Sequence, residues 1–280
     1  MSVDFYELKK QLPKGVIVLL NHGFKGDEDT FKDTCEIIFK KQGVLNAKVY
    51  LDDYLTSDAT SDHNILRDLK NRRNIYLDKM VYIRTKFQDP KRGKLTSQAS
   101  ELKTMIDKIK QALGETASKY EFVLVGHSKG GLSNMRFTLD YPGVVNKIVS
   151  LNTPYNAPYD IDYNLWKDVD PQIEIEILNL GNEWNSLTSW PKVSAITTRV
   201  ICTPGDTVVS VRSALGYPTR TKNLLWAFRK YKNFFSRTVI EGDFDSCSHI
   251  ASHSNEKVIY AMILSIINMF NNTGEYYTAK

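Results

Sequence analysis

Short runs of apolar residues alternate along the chain with longer stretches in which apolar residues recur every three or four positions. Residues 16–20 (VIVLL) and 122–125 (FVLV) are uninterrupted apolar runs, typical of strands buried on both faces of a sheet. Residues 97–113 carry apolar side chains on one helical face only, which predicts an amphipathic helix. The same patterns predict strands at residues 48–51, 80–83, 145–151, 199–203 and 237–241, and helices at residues 30–42, 132–139 and 258–270. We therefore expect an α/β fold, a mostly parallel central sheet with helices on both faces.

Three segments interrupt this alternation, and we interpret them as insertions into one domain. The first, at about residues 56–94, is expected to be a hairpin that contains one of the strands predicted at residues 48–51 and 80–83, while the other strand joins the central sheet. The second, at about residues 155–195, contains three of the four tryptophans and is predicted to be a cap or lid. The third covers about residues 208–236. No linker or repeat separates two units, so a single domain of 280 residues is expected.

The charge pattern argues against a nucleic-acid partner. Thirty-seven basic and 32 acidic residues give a net charge of +5, dispersed along the chain. The densest basic run, residues 70–73 (KNRR), has no interleaved aromatic side chains that would stack on bases. A solvated surface explains this run, and a small-molecule substrate is the expected partner.

Compartment and cofactor expectations follow from three further patterns. Residues 1–15 carry Asp, Glu and Lys and lack the apolar core of a secretory signal. The longest apolar run, residues 258–270, is too short to cross a bilayer. The cysteines, Cys35, Cys202 and Cys247, lack the spacing of metal ligands. We expect a cytoplasmic protein without a transmembrane segment, a metal or a cofactor.

A nucleophile elbow is predicted at residues 126–130 (GHSKG), between a buried strand and a helix. The sequence G-x-S-x-G at such a junction puts the serine on a strained turn, and a Cβ at either glycine would collide across it. Ser128 is therefore the candidate nucleophile. The backbone N–H of Lys129, at the helix N-terminus, is expected to stabilise an oxyanion, and the lysine side chain to lie at the surface. Nucleotide enzymes are disfavoured because neither G-x-G-x-x-G nor a phosphate-binding loop is present.

The loop after the first predicted strand, residues 21–24 (NHGF), is expected to complete the oxyanion site. Enzymes with a nucleophile elbow take a second oxyanion donor from this loop. We assign that role to the backbone N–H of Phe24. His22 is expected to be a structural hydrogen-bonding residue and not the base.

Asp206 is the candidate acid. It follows the strand predicted at residues 199–203, and a carboxylate just past the end of a strand can orient an imidazole. Aspartate is also common in turns for its own backbone hydrogen bonding. Asp243 and Asp245 therefore stay open as alternative acids.

His249 is the candidate base, and His253 is the alternative. His249 follows the last predicted strand after a loop rich in Gly, Asp and Ser, which would let its ring reach the serine. His253 is expected beside the N-terminus of the closing helix, with Ser252 or Ser254 as the N-cap. The helix dipole there disfavours the imidazolium that a general base must form, so His249 is preferred.

Taken in order, these segments resemble the lipase/esterase branch of the α/β-hydrolase superfamily, in particular bacterial α/β-hydrolases with a GHSKGG elbow. The resemblance rests on residues 21–23 (NHG), 126–132 (GHSKGGL), 151–156 (LNTPYN), 206–209 (DTVV) with Ser213 beyond, and 249–253 (HIASH). It implies the α/β-hydrolase fold, a triad of Ser128, Asp206 and His249, and a substrate cleft roofed by the segment after Asn152.

The expected activity is cleavage of a carboxylic ester, including a lipid ester, through an acyl-enzyme intermediate. An amide or thioester hydrolase with the same triad, and a non-catalytic binding module, stay open as alternatives. Residues 224–232 mix aromatic and basic side chains, which fits peripheral contact with an anionic membrane but fits a helix packed on the sheet better. Aromatic residues of the cap are expected either to line an acyl cleft or to form the cap's own core: Tyr155, Tyr159, Tyr163, Trp166, Trp184 and Trp190.

Overall fold

A computed structural model describes residues 4–155, 169–184, 195–215, 235–239 and 248–271. Its strands are β1 Val16–Asn21, β2 Ala47–Val49, β3 Leu55–Thr56, β4 Met80–Lys86, β5 Glu121–His127, β6 Lys147–Leu151, β7 Thr197–Cys202 and β8 Phe235–Val239. Its α-helices are α1 Lys32–Lys40, α2 Gln42–Leu45, α3 Asn64–Tyr76, α4 Leu95–Leu113, α5 Lys129–Asp140, α6 Pro171–Trp184, α7 Val211–Ala214 and α8 Glu256–Asn271. Short 3₁₀ helices lie at Phe5–Gln11, Gly114–Lys119 and Ala251–His253.

The strands form one twisted path in the order β2-β4-β1-β5-β6-β7-β8, with β3 paired to the end of β4, and every pair is parallel. Asn21 at the end of β1 pairs with Gly126 of β5, and His127 pairs with Leu151 of β6. The loops after these strands therefore leave the sheet at the same edge, where parallel α/β sheets place their ligand sites.

Helices cover both faces of the sheet, and the alternation of side chains along β1 shows how. Val16, Val18 and Leu20 pack into a core with α1, α8 and the first 3₁₀ helix. Ile17 and Leu19 point the other way, into a core with α3 and α4. A strand buried on both faces needs the continuous apolar run that the sequence has there. The predicted α/β class, a mostly parallel sheet between helical layers, is confirmed.

The predicted hairpin at about residues 56–94 is wrong. Both β2 and β4 belong to the central sheet, where they are adjacent and parallel. The chain between them contains α3, which covers the sheet face as a crossover helix must. The helix predicted at residues 30–42 is also shorter than expected: α1 runs from Lys32 to Lys40, and Gly43 lies inside the separate short helix α2.

The two later insertions are described in part. In the segment predicted as a cap, α6 buries Ile173, Ile177, Leu180 and Trp184 against the domain. In the segment at about residues 208–236, α7 and the first two residues of β8 are described. Residues 156–168 and 185–194 of the first segment and residues 216–234 of the second, 224–232 included, lie outside the described residues. None of the described helices combines the length and apolar character that crossing a membrane requires.

Candidate active site

Ser128 lies on a sharp turn between β5 and α5, as the elbow motif predicts. Its backbone has φ 54° and ψ −127°, a conformation that costs energy for any residue with a Cβ. Gly126 permits the turn, because a Cβ there would lie 2.5 Å from the carbonyl carbon of Gly130 and from the nitrogen of Gly131. The turn places the serine at the edge of the sheet, where the residue is buried but borders a cavity.

The motif suggests that a Cβ on Gly130 would collide across the turn, but the structure shows that it would collide with the end of β1. A Cβ on Gly130 would lie 2.4 Å from the carbonyl oxygen of Asn21 and 2.5 Å from that of His22. Both atoms belong to the backbone at the end of β1, which cannot give way as a side chain can. The glycine therefore lets α5 pack directly against the loop that faces Ser128.

Gly130→Ala is expected to destabilise the fold strongly, by about 3 kcal/mol in the free energy of unfolding, since overpacking against backbone forces main-chain shifts. Gly43→Ala is the matched control. A Cβ on exposed Gly43 would meet nothing within 4 Å, and alanine in a helix is favoured over glycine by up to about 1 kcal/mol. Urea denaturation of both variants measures the difference. Equal stability of the two would contradict the close approach of α5 to β1.

Asp206 and His249 meet although 43 positions separate them in the sequence. Oδ2 of Asp206 lies 2.6 Å from Nδ1 of His249, and both residues are buried. The other carboxylate oxygen accepts hydrogen bonds from the backbone N–H groups of Val208 and Val209, each at 2.8 Å. The carboxylate is thus fixed by its own loop. It accepts the Nδ1–H of the imidazole and leaves Nε2 free to take a proton.

His249 also contacts the elbow. Nε2 of His127, the residue before Ser128, lies 2.9 Å from the carbonyl oxygen of His249, and the two rings have centroids 4.6 Å apart. The structure therefore brings Asp206, His249 and the elbow that carries Ser128 into one site.

The loop after β1 approaches Ser128 closely. A Cβ on Gly23 would lie 2.7 Å from the Cβ of Ser128, so only glycine fits. The next residue, Phe24, lines a cavity together with Ser128 and Lys129. The two assigned oxyanion donors thus border the same space as the serine.

His22 holds this loop and has no free nitrogen. Its Nε2 accepts the backbone N–H of Phe87 at 3.1 Å, so Nδ1 carries the proton and donates to the carbonyl of Gly23 at 3.1 Å. Burial lowers the pKa of His22, which keeps the ring neutral. The structural role expected for His22 agrees with these contacts.

The cavity beside the serine is lined by apolar side chains. Its walls come from the loops after β1, β6 and β7, from α5, and from α6 with the segment just before it: Phe24, Leu132, Pro154, Val169, Ile173, Ile177, Val208 and Val209. Of the aromatic residues expected either to line a cleft or to form the cap's own core, Tyr155 and Trp184 are buried in the core that α6 shares with the domain. The hydroxyl of Tyr155 donates to Ser150 at 2.6 Å. Four other residues of that set lie outside the described residues: Tyr159, Tyr163, Trp166 and Trp190.

The expectation that the Lys129 side chain lies at the surface is wrong. It is only 5% exposed, and Nζ donates to the carbonyl of Gly93 at 2.5 Å. Burial lowers the pKa of this amine to about 8, against the opposing effect of Asp89, Glu176 and Glu101. The loop at residues 89–94 covers the start of α5, which the local sequence around the elbow does not reveal.

His253 lies near His249, and its ring packs beside the rings of Phe31 and His127. It ends the 3₁₀ turn Ala251–His253, and its backbone carbonyl accepts the hydroxyl of Thr34. The N-cap expected at Ser252 or Ser254 is wrong: Oδ1 of Asn255 accepts the backbone N–H of Lys257 at 2.9 Å. The alternative acids Asp243 and Asp245 lie outside the described residues. Within the described ranges, no three His, Cys, Asp or Glu side chains are grouped as metal ligands.

Comparisons with known proteins agree on the architecture. A family model described as "Alpha/beta hydrolase of unknown function (DUF915)" matches residues 7–180. The product of the gene lin2722 from Listeria innocua shares 17% identity, over 90% of this chain and 93% of that one, with a TM-score of 0.55. Est1E from Butyrivibrio proteoclasticus shares 14%, over 92% and 89%, with a TM-score of 0.51. Identities this low show the fold alone, and no curated protein matches the sequence.

Proposed function

The chain belongs to this family of α/β-hydrolases, and on that premise we propose that it is a serine hydrolase that cleaves a carboxylic ester with a Ser128–His249–Asp206 triad. The observation that carries the proposal is the 2.6 Å contact between Asp206 and His249 beside the elbow. A binding module would need neither a buried carboxylate–imidazole pair nor a strained serine at the same edge of the sheet.

The proposed reaction begins when the Oγ of Ser128 attacks the ester carbonyl carbon and its proton passes to Nε2 of His249. Asp206 stabilises the imidazolium that forms, through Nδ1–H. The backbone N–H groups of Phe24 and Lys129 stabilise the tetrahedral oxyanion. The intermediate collapses, and the leaving alkoxide takes the proton from His249. Water then attacks the acyl-enzyme by the same route, with His249 as the base, and releases the acid.

The apolar cavity supports an ester with an apolar acyl group. Among the described residues, the lining offers no side-chain charge beside the aliphatic groups of Leu132, Ile173 and Ile177, apart from Lys129, whose amine is directed to Gly93. An acyl chain gains free energy there by leaving water, about 0.8 kcal/mol for each buried methylene. Chemistry at the serine is shared with amide and thioester hydrolases, so the acyl and leaving groups must be found by assay.

A panel of nitrophenyl esters from acetate to palmitate tests the proposal. We expect hydrolysis with smooth saturation, and we expect Ile177→Phe to lower kcat/KM for the longer chains about tenfold while acetate is little affected, since the larger ring narrows the cavity. Ile175→Phe is the matched control, because Ile175 is on the same helix but 49% exposed. Absence of turnover with every ester, or equal effects of the two variants on all chain lengths, would contradict the assignment of substrate class.

A further inference from the structure

The backbone carbonyl of His249 accepts two side-chain hydrogen bonds that the triad chemistry does not use. Nε2 of His127 donates to it at 2.9 Å, and Oγ of Ser252 donates to it at 2.9 Å. A carbonyl oxygen has two lone pairs, so the two donors satisfy it fully. All three residues are buried.

These two bonds are not needed to form the turn in which they occur. The turn is already closed by its own backbone, since the N–H of Ser252 donates to Ser248 at 2.9 Å and that of Ser254 donates to Ala251 at 3.0 Å. Neither of these backbone bonds uses the carbonyl of His249. Two side chains donate to it, one from residue 127 and one from three residues later in the same turn. One donor belongs to the elbow and the other to the turn itself.

The proton arrangement on His127 follows from its partner. A carbonyl can only accept, so Nε2 of His127 carries the hydrogen. Burial, with smaller effects of the neighbouring His249 and His253, holds the pKa of His127 well below its ordinary value. The ring packed 4.6 Å from His249 is therefore a neutral dipole, which does not repel a neighbouring imidazolium as a charged ring would.

We propose that His127 and Ser252 are positioning residues, which fix the backbone of His249 so that its ring stays aligned with Ser128. This role rests on the proposed function. Asp206 holds the imidazole at one nitrogen, and a single bond leaves the ring free to pivot about it. Holding the carbonyl as well restrains the other end of the residue. Because His127 is covalently joined to Ser128, one hydrogen bond links the base directly to the nucleophile's own peptide.

Three variants separate positioning from packing. His127→Leu removes the donor and keeps most of the buried volume, whereas His127→Gln keeps an N–H near the position of Nε2. We expect kcat for His127→Leu to fall about 30-fold with KM within about twofold, since a misplacement of 1 Å can cost about 10²-fold. His127→Gln is expected to recover most of that loss. Ser252→Ala leaves the other donor in place, so its loss is expected to be about fivefold.

A double variant tests whether the two hydrogen bonds act together, with wild type as the reference. His127→Leu with Ser252→Ala is expected to lose more than the product of the two single losses, because only the pair frees the carbonyl. The inference is overturned if His127→Leu keeps kcat within twofold of wild type. It is also overturned if His127→Gln loses as much activity as His127→Leu and the thermal midpoints of both variants fall equally. That result would mean that His127 contributes packing and not a hydrogen bond.

A spectroscopic readout distinguishes failure of this inference from failure of the proposed function. Wild type that reacts with neither esters nor a fluorophosphonate refutes the function. The low-field proton resonance of the His249 Nδ1–H, held by Asp206, still reports whether the imidazole is positioned. We expect it in wild type and His127→Gln and expect it broadened or absent in His127→Leu. An unchanged resonance in all three proteins overturns the positioning role.

Discussion

Ser128→Ala is expected to abolish ester turnover and leave the fold intact. The substitution removes only the attacking oxygen, and alanine meets the same backbone strain at φ 54° as serine does. The loss in kcat should be on the order of 10⁴-fold or more, as when a triad nucleophile is removed from other serine hydrolases. Steady-state assays on a short nitrophenyl ester measure it, with the thermal midpoint of unfolding as the check on folding.

Ser133→Ala is the matched control for this experiment. Ser133 is on helix α5, which begins directly after Ser128, and is fully buried, but its hydroxyl donates to Gln98 at 2.5 Å and Ser133 does not line the cavity beside Ser128. We expect a moderate loss of stability and activity within about threefold of wild type, since one buried hydrogen bond contributes on the order of 1 kcal/mol. Full turnover by a folded Ser128→Ala protein would refute the proposed mechanism.

The second large effect is expected at His249. His249→Ala removes the base and leaves Asp206 without its imidazole partner, so kcat should again fall by about 10⁴-fold. His253→Ala should keep kcat within about tenfold of wild type, because the contact of its backbone carbonyl with Thr34 survives the substitution. Its ring packs beside Phe31 and His127, so the expected cost is in stability, about 1–3 kcal/mol.

Assays of both histidine variants on one ester decide which histidine is the base. The reverse order of activities, with His249→Ala active and His253→Ala inactive, would transfer the role of the base to His253. That result would leave the nucleophile assignment unchanged, because the elbow geometry at Ser128 does not depend on which histidine is the base.

The elements nearest the site were predictable because their sequence constraints are local. A strand buried on both faces needs a continuous apolar run, and β1 and β5 contain such runs at residues 16–20 and 122–125. The turn at Ser128 needs a glycine at position 126, and the elbow motif in the sequence contains it. Asp206 was predicted from its place after β7, and its hydrogen bonds to the following backbone explain why aspartate suits that turn.

The placement of β2 and β4 was not predictable in the same way. Between them α3 buries only a few apolar side chains, and charged residues occupy most of its surface, so its helical period is weak. When α3 is not recognised as a helix, the sequence favours a hairpin, because antiparallel strands need a shorter connection than parallel ones. Parallel pairing requires a crossover, and only the pairing of Ala47 with Met80 reveals that both strands share the sheet.

The other features that the sequence did not predict depend on contacts between residues far apart in the chain. Lys129 is buried by a loop 36 positions earlier in the chain, and His127 meets His249 across 122 positions. Nothing in the sequence beside either residue encodes that partner. His127 stands inside the elbow motif, and only the folded structure shows that it contacts His249.

Reaction with a fluorophosphonate, followed by mass mapping of the modified peptide, tests the central claim most directly. A fluorophosphonate reacts only with a serine that a neighbouring base activates, so labelling reports the nucleophile without knowledge of the substrate. We predict one phosphonyl adduct on Ser128 in wild type, with labelling slowed strongly in His249→Ala. An unlabelled, folded wild-type protein, or an adduct on another residue, would contradict the account.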